Sequence, residues 1–131
     1  MFIKKKIIKQ FHYLIDDFGY IVTEKSSFGR TIYVKFRSKN CKVYVYVEGY
    51  YVGLAVIPIE IPGFKDEESK TFEIQHLLDY IAPELNFKPN EGPTNLNKEI
   101  KRIADLFLKY CDKIIIGDFS IWYELYRKWR R

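Results

Sequence analysis

Apolar residues recur at three- and four-residue intervals near both ends of the chain and alternate with polar residues in the middle. The first pattern is typical of amphipathic helices and the second of half-buried strands. Residues 2–18 predict one helix, because their apolar stripe continues to Gly19, and glycine commonly ends helices. Residues 72–85 predict a second helix, which Pro83 kinks or ends.

Two further helices are predicted towards the C-terminus. The apolar residues from Ile100 to Ile115 follow the helical spacing closely, and Gly117 is expected to stop that helix. Asp118 can cap the last helix through its carboxylate. That helix, over residues 122–129, carries large apolar side chains along one face.

Four strands are predicted in the middle of the chain. The alternating runs are YIVTEK, TIYVKFR, CKVYVYVE and VGLAVIPIE. Short connections join them, which favours an antiparallel meander. The fourth run is apolar on both faces, so we expect both of its faces to be covered.

These elements predict an α+β fold: an N-terminal helix, a four-stranded antiparallel β-meander, and three C-terminal helices packed on the sheet. With 131 residues the chain has the length of one domain, so residues 1–131 are expected to form a single α+β domain. Residues 86–95 contain two prolines and a glycine and are the best candidate for an internal linker.

The charge of the chain is unevenly distributed. It has 22 Lys and Arg against 17 Asp and Glu, a net charge of +5, whereas residues 60–99 have four lysines and nine carboxylates, a net charge of −5. Such asymmetry can steer a partner, or it can reflect solvated helices of opposite charge. The sequence shows no export signal and no apolar run that could span a bilayer, so we expect a cytoplasmic protein without membrane association.

Few residues could perform catalysis. His12 and His76 lie on separate predicted helices, and Cys41 and Cys111 are far apart and read as small buried hydrophobes. His76 and Asp79 could share a metal ion, but no second pair of ligands accompanies them. We therefore expect no catalytic residue, no metal site and no cofactor, and a protein that is not an enzyme.

The outward face of the second and third predicted strands carries an unusual set of side chains. It combines tyrosines with charged residues, and one more tyrosine stands at the next turn. The predicted partner-binding residues are Tyr33, Lys35, Arg37, Lys42, Tyr44, Tyr46, Glu48 and Tyr50. A covering helix, a protein partner, for which tyrosine and arginine are typical, or bases of a nucleic acid could each explain such a face.

The C-terminal segment IADLFLKYCDKIIIGDFSIWYELYRKW resembles the end of a group of small bacterial proteins, in which a helix closes with an L-x-G-D corner and an aromatic-rich helix follows. Gly117, Asp118, Phe119 and Trp122 match this corner. Some members resemble immunity proteins that neutralise polymorphic toxins, so the resemblance implies a toxin domain as the partner.

The leading hypothesis is a non-enzymatic protein-binding module that uses the tyrosine and lysine face or the acidic segment 60–99. The resemblance implies that this module is an immunity protein. The alternative is a nucleic-acid-binding protein that uses basic N- and C-terminal helices. Its phosphate-holding residues would be Lys4, Lys5, Lys6, Lys9, Arg127, Lys128, Arg130 and Arg131.

Overall fold

The protein is described by a computed structural model that covers residues 2–89 and 95–129. Within these residues, five strands form one antiparallel sheet in the order of the chain. They are β1 (Ile21–Phe28), β2 (Thr31–Arg37), β3 (Cys41–Glu48), β4 (Tyr51–Pro58) and β5 (Phe72–Glu73). The helices are α1 (Phe2–Gln10), α2 (His12–Asp16), α3 (Glu67–Lys70), α4 (Ile74–Ile81), a 3-10 helix (Pro83–Leu85), α5 (Leu96–Tyr110), α6 (Asp112–Ile115) and α7 (Trp122–Trp129). The predicted α+β class, with its N-terminal helix, β-meander and C-terminal helices, is confirmed.

The sheet has one strand more than predicted. Phe72 and Glu73, expected to open the second helix, instead pair with Val56 and Ala55 of β4 as β5. This pairing satisfies backbone groups of β4 that an edge strand would leave unpaired. The first hairpin also differs, because β1 continues to Phe28, beyond the predicted run that ends at Lys25.

Two predicted helices are each divided in two. The segment 2–18 breaks at Phe11 and the later helix breaks at Cys111, where the backbone leaves helical geometry. Both residues at the breaks are buried, so the apolar pattern runs through each break and gives no sequence signal. The later helix also begins earlier than predicted, at Leu96, because the Asn95 side chain accepts a hydrogen bond from the Lys98 amide.

Helix ends account for the remaining differences. The second predicted helix ends at Ile81, ahead of Pro83, and Gly117 adopts a φ of +103° at the predicted stop. Asp118 does not cap the last helix: its carboxylate accepts from the Ser120 amide at 3.0 Å, whereas α7 begins at Trp122. The acidic stretch before β5 contains the short helix α3.

Helices α1, α5, α4 and α7 form a layer on one face of the sheet. α1 contacts β2 and α5, α5 contacts β4 and α4, and α4 contacts β4 and α7, so the layer runs in the order α1, α5, α4, α7. The core lies between this layer and the sheet. Its largest fully buried side chains include Trp122, Tyr20, Phe11, Phe36, Phe72 and Phe107. None of the helices formed by residues 2–89 and 95–129 combines the length and the hydrophobicity that crossing a bilayer requires.

The predicted linker over 86–95 falls partly on residues 90–94, which lie outside the described residues. Its beginning is attached to the core. Phe87 is buried, and the Lys88 carbonyl accepts a hydrogen bond from the Arg102 guanidinium at 3.0 Å. The linker interpretation therefore does not hold for this part of the segment.

Candidate functional site

The face of the sheet opposite the helical layer, here called the open face, collects most of the predicted binding residues. The strand register places Tyr33 directly opposite Tyr46, Lys35 opposite Tyr44 and Arg37 opposite Lys42. Directly opposed residues of antiparallel strands point to the same side of the sheet. Glu48 follows on the same face of β3, opposite Thr31. Seven of the eight predicted residues therefore share one surface.

Four tyrosines form a continuous row across β2, β3 and β4, here called the tyrosine row. The rings of Tyr33 and Tyr44 stack at 5.4 Å with an interplanar angle of 13°. Tyr44 and Tyr46 lie 5.5 Å apart, and Tyr46 and Tyr51 lie 6.2 Å apart. The rings thus cover one another rather than being covered by a helix, and all four keep part of their surface accessible to solvent.

Lys35 is held inside the tyrosine row. Its Nζ lies 5.4 Å from the ring centroid of Tyr33 and 5.3 Å from that of Tyr44, within the range of a cation–π interaction. The same ammonium is 3.4 Å from Oε1 of Glu24. Lys35 is therefore already engaged by groups of its own sheet.

A β-bulge in β1 brings Glu24 to the open face. The register shifts between Val22 and Glu24, so that Thr23 is the extra residue and Glu24 pairs with Lys35. Without the bulge, the alternation would point Glu24 to the helical layer. The hydroxyl of Tyr33 donates to Oε2 of Glu24 at 2.6 Å. This bond lowers the pKa of the Glu24 carboxyl and raises the pKa of the Tyr33 phenol.

A groove of about 630 Å³ lies beside the tyrosine row and is open to solvent. Ala55 and Ile57 of β4 line its floor, and Ala55 stands opposite the large ring of Tyr44. The small side chain of Ala55 leaves space between this ring and a second wall. Residues of α3 and of the chain that follows it line that wall: Glu67, Thr71 and Glu73.

Two contacts cross β4 and join β3 to the second wall. The hydroxyl of Tyr46 donates to Oε1 of Glu73 at 2.6 Å, and Nζ of Lys42 is 2.7 Å from Oε2 of Glu67. Burial, and then the bond to Glu73, raise the pKa of the Tyr46 phenol. The bond to Lys42 lowers the pKa of the Glu67 carboxyl. Two carboxylates of the wall are thus bound by side chains of β3.

Arg37 differs from the other cations of the groove. Its side chain is exposed, and in the part of the chain that the structure describes its guanidinium makes no hydrogen bond or ion pair. It lies directly opposite Lys42, and like charges in this position are mutually unfavourable. Among the described residues, Arg37 is therefore the cation of the groove that forms no ion pair.

Tyr50 is the predicted residue that does not join the others. It stands in the β3–β4 turn, is 78% exposed and lies outside the groove. The sequence analysis missed Glu24, and it included Glu67 and Glu73 only as part of the acidic segment 60–99. Glu24 reaches this site through the bulge, Glu73 through the pairing of β5 with β4, and Glu67 through the position of α3, so no local pattern marks them.

The histidines lie away from the groove. Nδ1 of His12 is 2.6 Å from Oδ2 of Asp16 on the exposed side of α2, and the ring of His76 packs against Phe72 and Trp129. Within residues 2–89 and 95–129, no three His, Cys, Asp or Glu side chains are grouped as a metal site requires. The chemistry that the groove offers is therefore aromatic contact, cationic contact and hydrogen bonding to carboxylates.

The other predicted surfaces are dispersed. The lysines of α1 and the cations of α7 are separated by α5 and α4 in the helical layer, and Arg130 and Arg131 lie outside the described residues. The described carboxylates of the acidic segment 60–99 do not form one patch either. Glu67 and Glu73 line the groove, whereas Glu99 is buried against Arg102.

No family model matches the chain, and no curated protein and no solved structure matches it.

Proposed function

We propose that the protein is a non-enzymatic module that binds another protein through its open face. The partner segment lies in the groove beside the tyrosine row and places an apolar or aromatic side chain over Ala55. The observation that carries this proposal is the partly exposed tyrosine row next to a groove of about 630 Å³. Tyrosine is enriched at the centres of protein interfaces because it joins a large apolar ring to a polar tip.

The side chains of the tyrosine row are already ordered in the absence of a partner. Tyr33 and Tyr44 hold each other by stacking, and hydrogen bonds fix the hydroxyls of Tyr33 and Tyr46. Side chains that are already ordered lose little conformational entropy on binding, which leaves more of the contact energy for affinity.

The charges of the groove support a protein partner over a nucleic acid. Its lining has three cations and also three carboxylates: Lys35, Arg37, Lys42, Glu48, Glu67 and Glu73. A polyphosphate backbone would meet those carboxylates along its length, whereas a protein segment can match both signs. The separation of the two basic clusters by α4 and α5 weakens the nucleic-acid alternative further.

The same lining supports binding rather than catalysis. A general base needs a pKa near the working pH, but the pKa of Glu67 is lowered by its bond to Lys42. Neither histidine lines the groove. We therefore propose a protein that is not an enzyme and needs no cofactor.

The proposed partner is a toxin domain that the protein neutralises in the cytoplasm. The resemblance of the C-terminal segment to immunity-type proteins supports this partner class. The matching residues Phe119 and Trp122 pack against each other at 5.0 Å, so they would maintain the fold while the open face binds. Cys41 and Cys111 are free, which agrees with a reducing compartment.

Peptide display tests the binding surface. Random linear peptides are selected in parallel on wild type, on Tyr44→Ala and on Tyr50→Ala. The last variant is the matched control, because it removes the same side chain outside the groove. Enriched peptides should bind wild type and Tyr50→Ala equally, and Tyr44→Ala at least about tenfold more weakly, as for an interface residue worth about 1.4 kcal/mol or more. Peptides that bind all three proteins equally would exclude the open face.

A genetic test addresses the toxin. If the gene lies directly downstream of a large secreted protein with a toxic C-terminal domain, that domain is co-expressed with each variant. Wild type and Tyr50→Ala should restore growth, and Tyr44→Ala should not. Equal rescue by all three would place the neutralising surface elsewhere, and failure of wild type to rescue would remove that domain as the partner.

A further inference from the structure

We infer that Arg37 anchors the partner by binding one carboxylate of an Asp or Glu side chain. This inference rests on the proposed function, because it names the group that the open face recognises. It starts from the position of Arg37 at the end of the groove and from the absence of a counter-ion in the described residues.

The three cations of the groove are not equivalent. Lys35 is occupied by Glu24 and by two rings of the tyrosine row, and Lys42 is occupied by Glu67 at 2.7 Å. Each of these ammonium groups would have to give up a partner within the protein to bind a new one. Arg37 can bind a carboxylate without such an exchange.

The position of Arg37 is unfavourable for the isolated protein. Two positive side chains, Arg37 and Lys42, stand directly opposite each other, and Glu67 neutralises one of them. A second carboxylate, bound to Arg37, would offset the repulsion between Arg37 and Lys42. In this inference the partner supplies that carboxylate.

The neighbours of Arg37 would strengthen such a contact. Ile21 of β1 lies directly opposite Arg37 on its other side and is 63% exposed, and Ile57 of β4 lies opposite Lys42. The cations therefore lie between two apolar side chains that a partner can cover. Covering them removes water from the ion pair, and a planar guanidinium can hold a carboxylate through two hydrogen bonds.

A single carboxylate fits this site better than a phosphate chain. The Glu67 carboxylate already lies at Lys42, one strand away from Arg37. One added negative charge balances Arg37, whereas a series of phosphates would also be repelled by Glu67 and by Glu48 of the same groove.

Charge exchange tests the anchor on a peptide selected as described above. Arg37→Glu should weaken binding at least about tenfold, and replacement of the acidic peptide residue by lysine should restore binding to Arg37→Glu. Arg30→Glu is the matched control, because Arg30 is exposed in the β1–β2 turn and the substitution changes the net charge equally. It should change the Kd less than about threefold.

The outcomes separate the two proposals. A peptide that requires Tyr44 but tolerates Arg37→Glu would overturn the carboxylate anchor and leave the protein-binding face intact. Failure of every peptide to distinguish Tyr44→Ala from Tyr50→Ala would overturn both. A single-stranded oligonucleotide that displaces the peptide in an Arg37-dependent manner would replace the carboxylate by a phosphate.

One measurement needs no partner. If Arg37 serves binding and does not stabilise the fold, Arg37→Gln should leave the midpoint of urea unfolding unchanged or raise it. A clear fall of the midpoint would show that Arg37 supports the fold, and the inference would then be wrong.

Discussion

The phenol ring of Tyr46 lies directly on the backbone of Gly53, its neighbour across the β3–β4 pair. A Cβ atom built on Gly53 would be 2.1 Å from Cζ of Tyr46. Only glycine lets the ring lie flat across β4 and its hydroxyl reach Glu73 on the far side. The pairing of a large ring with glycine therefore connects β3 to β5.

Gly53→Ala should destabilise the protein through this contact. The added methyl group displaces the Tyr46 ring, and overpacking of this kind costs about 1–3 kcal/mol. The measurement is the free energy of unfolding in urea. In a Tyr46→Ala background the methyl group has room, so Gly53→Ala should then be neutral or stabilise by up to about 1 kcal/mol, the usual cost of glycine in a strand. Equal losses in both backgrounds would show that the ring is not the cause.

The sequence predicts the local part of this site and misses the long-range part. Alternation in β2 and β3 places Tyr33, Tyr44 and Tyr46 on one face, because the side-chain period of a strand is fixed by its backbone. The partners of two of these rings, Glu24 and Glu73, cannot be predicted in the same way. One reaches the face through a bulge and the other through a pairing of two residues with β4.

The sequence predicted that both faces of β4 are covered, but not which residues cover them. Gly53 and Ala55 are buried on the open face, as a strand apolar on both sides requires. Their cover includes the Tyr46 ring, which comes from the neighbouring strand rather than from a helix. The breaks in the helices at Phe11 and Cys111 could not be predicted from the sequence either. A buried apolar residue at such a position fits the apolar pattern of a continuous helix as well as that of a broken one.

Tyr46→Phe isolates the hydrogen bond to Glu73. The bond is partly buried and its acceptor is a carboxylate, so its loss should cost about 1.5–3 kcal/mol in urea unfolding. Tyr33→Phe is the matched control, because the Tyr33 hydroxyl donates to Glu24 at the same distance of 2.6 Å but in an exposed position. The control should shift the urea midpoint much less. If Tyr33→Phe lost more stability than Tyr46→Phe, the Tyr46 bond would not be the more stabilising of the two.

The thiols of Cys41 and Cys111 should be unreactive in the folded protein. Burial raises the pKa of each to about 12, and the thiolate is the form that attacks disulfide reagents. At about pH 8, a chromogenic disulfide should react with both thiols when the protein is unfolded in denaturant. In buffer without denaturant, neither thiol should react immediately. Reaction in buffer should follow the rate of unfolding. A rapid burst from native protein would show that solvent reaches one of the thiols.

Alkaline pH should unfold the protein through its buried phenols. Burial raises the pKa of Tyr13, Tyr20 and Tyr46 above the ordinary value of about 10. Because the folded state favours the neutral phenols, their contribution to stability is complete below about pH 10 and is lost as the pH rises towards the folded pKa values. In a tyrosinate absorbance titration, these buried phenols should therefore ionise in a step that coincides with loss of the circular dichroism signal. Their ionisation in a folded protein would contradict this assignment.

Glu99 and Arg102 form a buried ion pair that fastens the chain before α5. Glu99 is 2% exposed and accepts from Nε of Arg102 at 2.8 Å and from Nη2 at 3.0 Å. The same guanidinium donates to the Lys88 carbonyl and lies 5.1 Å from the Phe87 ring. Arg102→Met would leave a buried carboxylate without these bonds, and breaking such a pair costs about 3–5 kcal/mol.

A neighbouring pair on the same helix provides the comparison. Nζ of Lys101 is 2.6 Å from Oδ2 of Asp105, closer than the Arg102 contacts, but both side chains are 61% exposed. Lys101→Met should therefore change the free energy of unfolding by less than about 0.5 kcal/mol. Replacing Glu99 as well as Arg102 by methionine should recover most of the loss, since no buried charge remains. If Lys101→Met and Arg102→Met cost the same, burial would not be what gives the Glu99 pair its strength.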